Sequence, residues 1–161
     1  MPAVDLATAC ARRAEHAARG ERVAATNGCF DLLHVGHVRY LAQARALGDA
    51  LFVAVNSDRS ARALKGPGRP LVSEDERAEI LAALRCVECV VIFDEDTAED
   101  VMAALRPDVY VKGGDYTRDR LPEARVVQAY GGEVRLLPLV AGRSTSQLIA
   151  RIAAQAGAPR G

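Results

Sequence analysis

The sequence predicts a single doubly wound α/β domain, built on a five-stranded parallel sheet, and three observations predict it. Five short β-rich runs alternate with amphipathic stretches along the chain. Those runs are near-continuous in apolar residues, the pattern of strands covered on both faces. The residues able to carry chemistry collect at the carboxyl ends of the runs, where open α/β sheets bind ligands.

The elements follow in order. Val4 to Arg19 is Ala-rich and Arg-bearing and reads as a leading helix. The strands are Val23–Cys29, Leu51–Asn56, Cys89–Phe93, Val109–Lys112 and Val134–Leu139. Helices are expected over Gly36–Leu47, Glu74–Leu84, Ala98–Leu105, Pro122–Tyr130 and Thr145–Ala154. Ser73-Glu74-Asp75-Glu76 and Ser144-Thr145-Ser146-Gln147 both fit a capping box and mark two helix starts. Two glycines and two prolines make Lys65–Pro70 a loop, and its polarity lets it close over a bound anion. The organisation is one domain over 1–161: an N-terminal helix in 1–21, a catalytic core over 22–154 and a tail over 155–161.

Composition narrows the function. The 161 residues are 50% hydrophobic, enough for a real core, and the formal net charge is zero. No basic field points to nucleic acid. No apolar run approaches a membrane span, and no signal peptide opens the chain, so a cytoplasmic protein with no membrane partner is expected. Cys86-Val87-Glu88-Cys89 has redox or half-zinc spacing, but it follows a helix rather than starting one, and no second C-x-x-C completes a zinc site. Small buried hydrophobes are the expected role of all four cysteines.

The most informative stretch is Thr26-Asn27-Gly28-Cys29-Phe30-Asp31 followed by His34-Val35-Gly36-His37, which holds two of the three histidines. Gly28 permits a tight turn and close ligand approach. A helix starting at Gly36 aims its free N–H groups and positive dipole end at the same spot, a ready phosphate site. Two imidazoles there can donate to charge developing on phosphorus. A zinc site is the rival, but His-x-x-His supplies two ligands where zinc takes three or four, and H-E-x-x-H is absent.

Three further motifs fall at strand ends: Asn56-Ser57-Asp58, Lys112-Gly113-Gly114-Asp115-Tyr116 and Gly142-Arg143-Ser144-Thr145-Ser146. The last combines hydroxyls, an arginine and a helix start, which suits phosphate oxygens. The chain carries nineteen Arg and only two Lys, Lys65 and Lys112, each followed by Gly. An ammonium does not do the work of a guanidinium fork, so both lysines are expected to contact a small anion. Neither G-x-x-x-x-G-K-[ST] nor G-x-G-x-x-G occurs, which removes P-loop and dinucleotide-binding chemistry.

These residues resemble the nucleotidyltransferase superfamily with H-x-G-H and a late S-T-[ST] helix start. The closer resemblance, over Val23 to Ile152, is to D-glycero-β-D-manno-heptose 1-phosphate adenylyltransferases. It rests on the Thr26–His34 stretch, Val55–Asp58, Leu64–Pro67, Phe93–Thr97, Val111–Tyr116 and Gly131–Val134. Ser146 departs from the commoner Thr but keeps the hydroxyl. With no kinase domain before residue 23, the stand-alone form of the family is expected.

The resemblance implies a Rossmann-like nucleotidyltransferase fold and a reaction in which the sugar 1-phosphate attacks the α-phosphorus of ATP and pyrophosphate leaves. Positioning and charge stabilisation carry such chemistry, with no protein nucleophile. It implies His34 and His37 at the transition-state phosphate, and Gly28, Cys29 and Phe30 offering backbone N–H groups beside Asn27. Lys65 and Arg77 would neutralise phosphate charge, and Arg143, Ser144, Thr145 and Ser146 would hold the outgoing phosphates. Lys112, Gly113, Asp115 and Tyr116 would lie near adenosine or sugar. Asp31 borders the acceptor as a loop organiser rather than a base. Mg2+ would arrive on ATP, with no protein metal site, and a homodimer fits the resemblance. Other readings stay open: a glycerol-phosphate cytidylyltransferase, an FMN adenylyltransferase, a non-catalytic nucleotide sensor, or a metal-dependent hydrolase. The product's destination, lipopolysaccharide, another glycan or a small-molecule pathway, is open too.

Overall fold

A computed structural model describes residues 3–114, 117, 120–138, 142 and 144–156. Five parallel strands form one sheet: β1 (Val23–Gly28), β2 (Ala50–Asn56), β3 (Cys89–Phe93), β4 (Val109–Gly113) and β5 (Glu133–Leu137), in the order β3-β2-β1-β4-β5. The first connections run outward from β1 to β2 and β3, and the chain then returns past β1 to β4 and β5. The direction of winding therefore switches between β1 and β4, where ligands of such sheets bind.

Seven helices are described: α1 (Leu6–Ala18), α2 (Val35–Arg45), α3 (Asp58–Lys65), α4 (Glu74–Ala82), α5 (Glu99–Leu105), α6 (Pro122–Ala129) and α7 (Thr145–Ala156). Side chains alternate across the strands, so each sheet face builds its own core. Ala25, Phe52, Val91 and Tyr110 pack with Ala9 of α1, Met102 of α5 and Val127 of α6. Ala24, Val53, Val90 and Val111 pack on the other face with Leu41 of α2 and Leu81 of α4. Burying a side chain of this kind contributes about 1.5–3 kcal/mol, so both layers hold the strand ends in place.

The expected elements form with ends shifted by one or two residues, and α3 is a helix the sequence reading lacks. Its signal is present: Ser57 is the N-cap, accepting from the Ser60 amide, and Asp58 occupies the first turn. Lys65 consequently ends α3 rather than lying in the loop, which starts at Gly66 with φ +90°. The box at Ser73–Glu76 is formed, with both reciprocal hydrogen bonds. Of the cysteines, Cys89 is buried as expected, whereas Cys10, Cys29 and Cys86 are only half-buried; all four are free thiols. No described helix is long and apolar enough to cross a membrane.

Candidate active site

The carboxyl end of β1 runs into a short loop and then α2, and this junction is built tightly. Phe30 adopts φ +48°, a left-handed conformation uncommon for a bulky residue. Its ring lies so close over Gly28 that an added Cβ would meet it at 3.1 Å. A side chain there would have to push the aromatic ring aside. Phe30 in turn meets His37 edge-on, with ring centroids 5.5 Å apart.

The two histidines are stacked, with centroids at 4.0 Å and an interplanar angle of 23°. His34 is the N-cap of α2, and its Nδ1 accepts from the Gly36 amide at 3.1 Å. An N–H only donates, so Nδ1 carries no proton and the neutral ring holds its hydrogen on Nε2. Burial, reinforced by the neighbouring His34, lowers the His37 pKa to about 4. His37 is therefore a neutral imidazole at neutral pH. Its Nδ1 is the single buried side-chain polar atom without a hydrogen-bond partner among the described residues. Such a group costs about 1–3 kcal/mol, a penalty folds tolerate mainly where function demands it.

Asp31 is buried and organises the neighbouring loop. Its carboxylate accepts from the Leu71 and Val72 amides at 2.8 and 3.0 Å and from Arg69 Nε at 2.6 Å. Burial alone raises its pKa. The Val72 amide, Arg69 and the Leu71 amide outweigh burial and hold the carboxyl below the ordinary aspartate value. Arg69 was absent from the residues picked out in sequence, because an Asp–Arg pair 38 positions apart leaves no local pattern.

Arg77 departs from its expected place on phosphate. It is fully buried, donating to Val72 O at 3.0 Å, Cys29 O at 2.5 Å and Asp58 Oδ1 at 2.8 Å. The guanidinium thus ties the loop after β1, the loop before α4 and the start of α3 together from beneath. Asn56 supports the same floor, receiving Cys29 Sγ at 3.7 Å and donating to Ser60 Oγ at 3.1 Å.

Across the β1–β4 switch point, Asn27 Oδ1 accepts from Lys112 Nζ at 3.0 Å and from Tyr110 Oη at 2.7 Å. Burial lowers the Lys112 pKa. Gly113 is obligatory by packing, since a Cβ would approach the Tyr40 ring to 2.9 Å. Tyr40 itself bonds Thr26 Oγ1 and Val111 O, clamping α2 onto β1 and β4.

The α7 start reaches the same edge. Thr145 Oγ1 donates to Leu32 O at 3.2 Å, and Ser144 Oγ caps the helix through the Gln147 amide. A cavity of about 430 Å³ opens between His34 and this helix, bordered by Ser144, Gln147 and Arg151. Asn27, Gly28, Cys29, Phe30, Asp31, His34, His37, Lys112, Gly113, Ser144 and Thr145 thus belong to the elements meeting at this edge. Ser146 lies in the first turn of α7, and Lys65 ends α3. Asp115, Tyr116 and Arg143 lie outside the described residues. A larger hollow of about 710 Å³ lies at the amino edge, but its Arg13 and Arg22 are spent on Asp108 and Glu133.

Among the described residues, no three His, Cys, Asp or Glu side chains stand together to hold a metal ion. The described side chains alone therefore do not form a metal cage. What the edge offers is donors: two neutral imidazoles, a half-buried ammonium, an amide and a helix N-terminus.

Comparison with known proteins gives a consistent result. A cytidylyltransferase-like family model matches residues 25–151. Bifunctional protein HldE of Syntrophotalea carbinolica is 60% identical over 134 residues, which is 83% of this chain and 27% of that protein. The protein of the same name from Citrifermentans bemidjiense is 57% identical over 147 residues, 91% of this chain and 30% of that one. The chain thus spans under a third of the length of these curated relatives. The crystal structure of a lipopolysaccharide core biosynthesis protein from Thermoplasma volcanium superposes with a TM-score of 0.62 at 27% identity, covering 75% of this chain and 98% of that one.

Proposed function

The chain belongs to the cytidylyltransferase-like family, and from that premise we propose that it is an adenylyltransferase joining ATP and D-glycero-β-D-manno-heptose 1-phosphate. The products are ADP-heptose and pyrophosphate. The observation that carries this reading is the stacked His34–His37 pair at the α2 N-terminus, with His34 and Ser144 of the α7 start lining one cavity. High identity to bifunctional HldE proteins over most of this chain supports the reading.

In this reading an oxygen of the sugar phosphate forms a bond to the α-phosphorus, and the bond from that phosphorus to the α,β-bridging oxygen breaks. The pyrophosphate carries that oxygen away. The acceptor is already ionised, so the residues need only orient and stabilise charge. His34 donates from Nε2–H, and neutral His37 donates without the cost of a buried cation. The Gly28–Phe30 loop and α2 present backbone N–H groups. Ser144, Thr145 and Ser146, with Arg143, hold the departing phosphates. Lys65 meets the triphosphate from the end of α3, and Lys112, Gly113, Asp115 and Tyr116 border the nucleoside and sugar. Arg77 serves from below. Magnesium accompanies ATP, the enzyme works in the cytoplasm, and a homodimer is its assembly.

A matrix of nucleoside triphosphates against phosphate acceptors, read as pyrophosphate release, tests the assignment. ATP with the heptose phosphate is the expected best pair. A strong preference for CTP with glycerol phosphate overturns the acceptor and base, and no pyrophosphate from any pair makes the chain a nucleotide sensor.

A further inference from the structure

Tyr110 has no exposed surface, yet it spends its hydroxyl on a site residue. It lies on β4 opposite Ala25, two residues below the level of Asn27 on the neighbouring strand. Its Oη donates upward to Asn27 Oδ1 at 2.7 Å, and Lys112 Nζ donates to the same oxygen at 3.0 Å. An ammonium has no acceptor, so the amide must turn its oxygen toward Lys112. Both strong donors therefore sit on one side of the amide, and Nδ2 points away from them. No hydrogen bond engages Nδ2 among the described residues, and it is not a sealed, orphaned atom.

Strand alternation adds a second fact. Thr26 bonds Tyr40 of α2 on one face of the sheet, whereas Asn27 and Tyr110 belong to the α5 and α6 face. The histidines approach the edge from the α2 side and the Asn27 cluster from the other. A free amide presents oxygen or nitrogen to a ligand with little preference. This one is held with its two N–H hydrogens outward, and an outward amide N–H beside an ammonium suits an anion.

We propose that Tyr110 is a positioning residue: with Lys112 it locks the Asn27 amide so that Nδ2–H donates to an anionic phosphate oxygen of a bound substrate. The oxygen belongs either to ATP or to the sugar phosphate, and it lies across the strand edge from His34 and His37. The inference rests on the adenylyl-transfer reading for its kinetic arm only.

The test is a double-mutant cycle on the full chain, with thermal melts to confirm folding. Tyr110→Phe is expected to lower kcat/KM about 10-fold, and Asn27→Ala about 100-fold, in the range for a lost donor to developing charge. If Tyr110 acts through Asn27, the double variant should be no worse than Asn27→Ala. Asn27→Asp keeps an acceptor for Tyr110 and Lys112 but has no donor. It should melt like wild type and lose as much activity as the alanine variant. Multiplicative losses in the double variant, or near-wild-type turnover in Asn27→Asp, overturn the proposal.

A second readout needs no turnover. In ¹⁵N spectra, the Asn27 side-chain amide should shift with ATP alone or with the sugar phosphate alone, whichever supplies the oxygen. Tyr110→Phe should weaken that shift. An amide unmoved by either ligand overturns the lock. A wild type that makes no pyrophosphate while its Asn27 amide still shifts refutes only the adenylyl-transfer reading.

Discussion

His37 is where the proposed chemistry and the cost of folding meet. In the proposed mechanism, truncation to alanine removes a donor to developing charge, and losses for such donors run at about 10²–10³ in kcat. We expect His37→Ala to fall in that range, with ATP affinity by calorimetry within a few-fold of wild type. Near-wild-type turnover would make the histidine pair structural. The same residue predicts a pH effect on stability. Its pKa is lowered from 6.5 to about 4 in the folded state. Between those values the unfolded chain takes up a proton that the folded chain refuses. Stability therefore falls as pH drops from about 6.5 towards 4, and is insensitive to this group above that window. Thermal melts across that range should show a shallower decline in His37→Ala than in wild type. Parallel curves would mean that His37 titrates normally in the folded protein.

The sequence shows that two imidazoles flank a glycine, and it cannot show that they stack or that one has an orphaned nitrogen. Arg77 is the instructive difference. In the sequence the resemblance puts Arg77 on phosphate charge, and nothing local marks it as buried, because charged residues are rarely buried unless paired. Its partners come from positions 29, 58 and 72, which only the fold assembles. Tyr110 was hidden for the opposite reason, since an aromatic in an apolar strand reads as core.

Elements were more legible than residues. Cys89–Phe93 is a strand with the expected ends, because its apolar run is bounded by polar residues on both sides. The α3 helix was missed because its first residues, Ser57 and Asp58, stood out as a strand-end polar motif, and its one large apolar residue, Leu64, is exposed. That helix changes the account of the following loop. Arg69, Leu71 and Val72 are already latched to Asp31, so only Gly66 to Gly68 is left to close over a ligand. Lys65 stands at the C-terminus of α3, where the helix dipole favours a cation. Asp31→Asn should loosen the latch and speed proteolysis between Leu64 and Val72 in the absence of ATP. ATP should protect the same segment in wild type and lose that effect in Lys65→Ala. Lys65→Arg should restore turnover only in part, since the charge returns without the geometry. Cleavage indifferent to both nucleotide and Asp31 would make Lys65 a plain surface charge.

For the whole molecule, the order β3-β2-β1-β4-β5 decides where the candidate site residues gather. It sets the Gly28–His37 junction and the Lys112–Gly113 strand end side by side at the switch point, and α7 is pinned above by Thr145. That gathering at carboxyl ends was legible from the strand–helix alternation alone. The central claim is that this edge joins two phosphates by direct displacement at the α-phosphorus. The direct measurement is ³¹P NMR of the products formed from unlabelled ATP and a heptose 1-phosphate carrying ¹⁸O in its non-bridging phosphate oxygens. The account predicts ADP-heptose with ¹⁸O in the bridge between its two phosphorus atoms, and pyrophosphate free of label. Label in the pyrophosphate, or unlabelled AMP formed whether or not the acceptor is present, would contradict it.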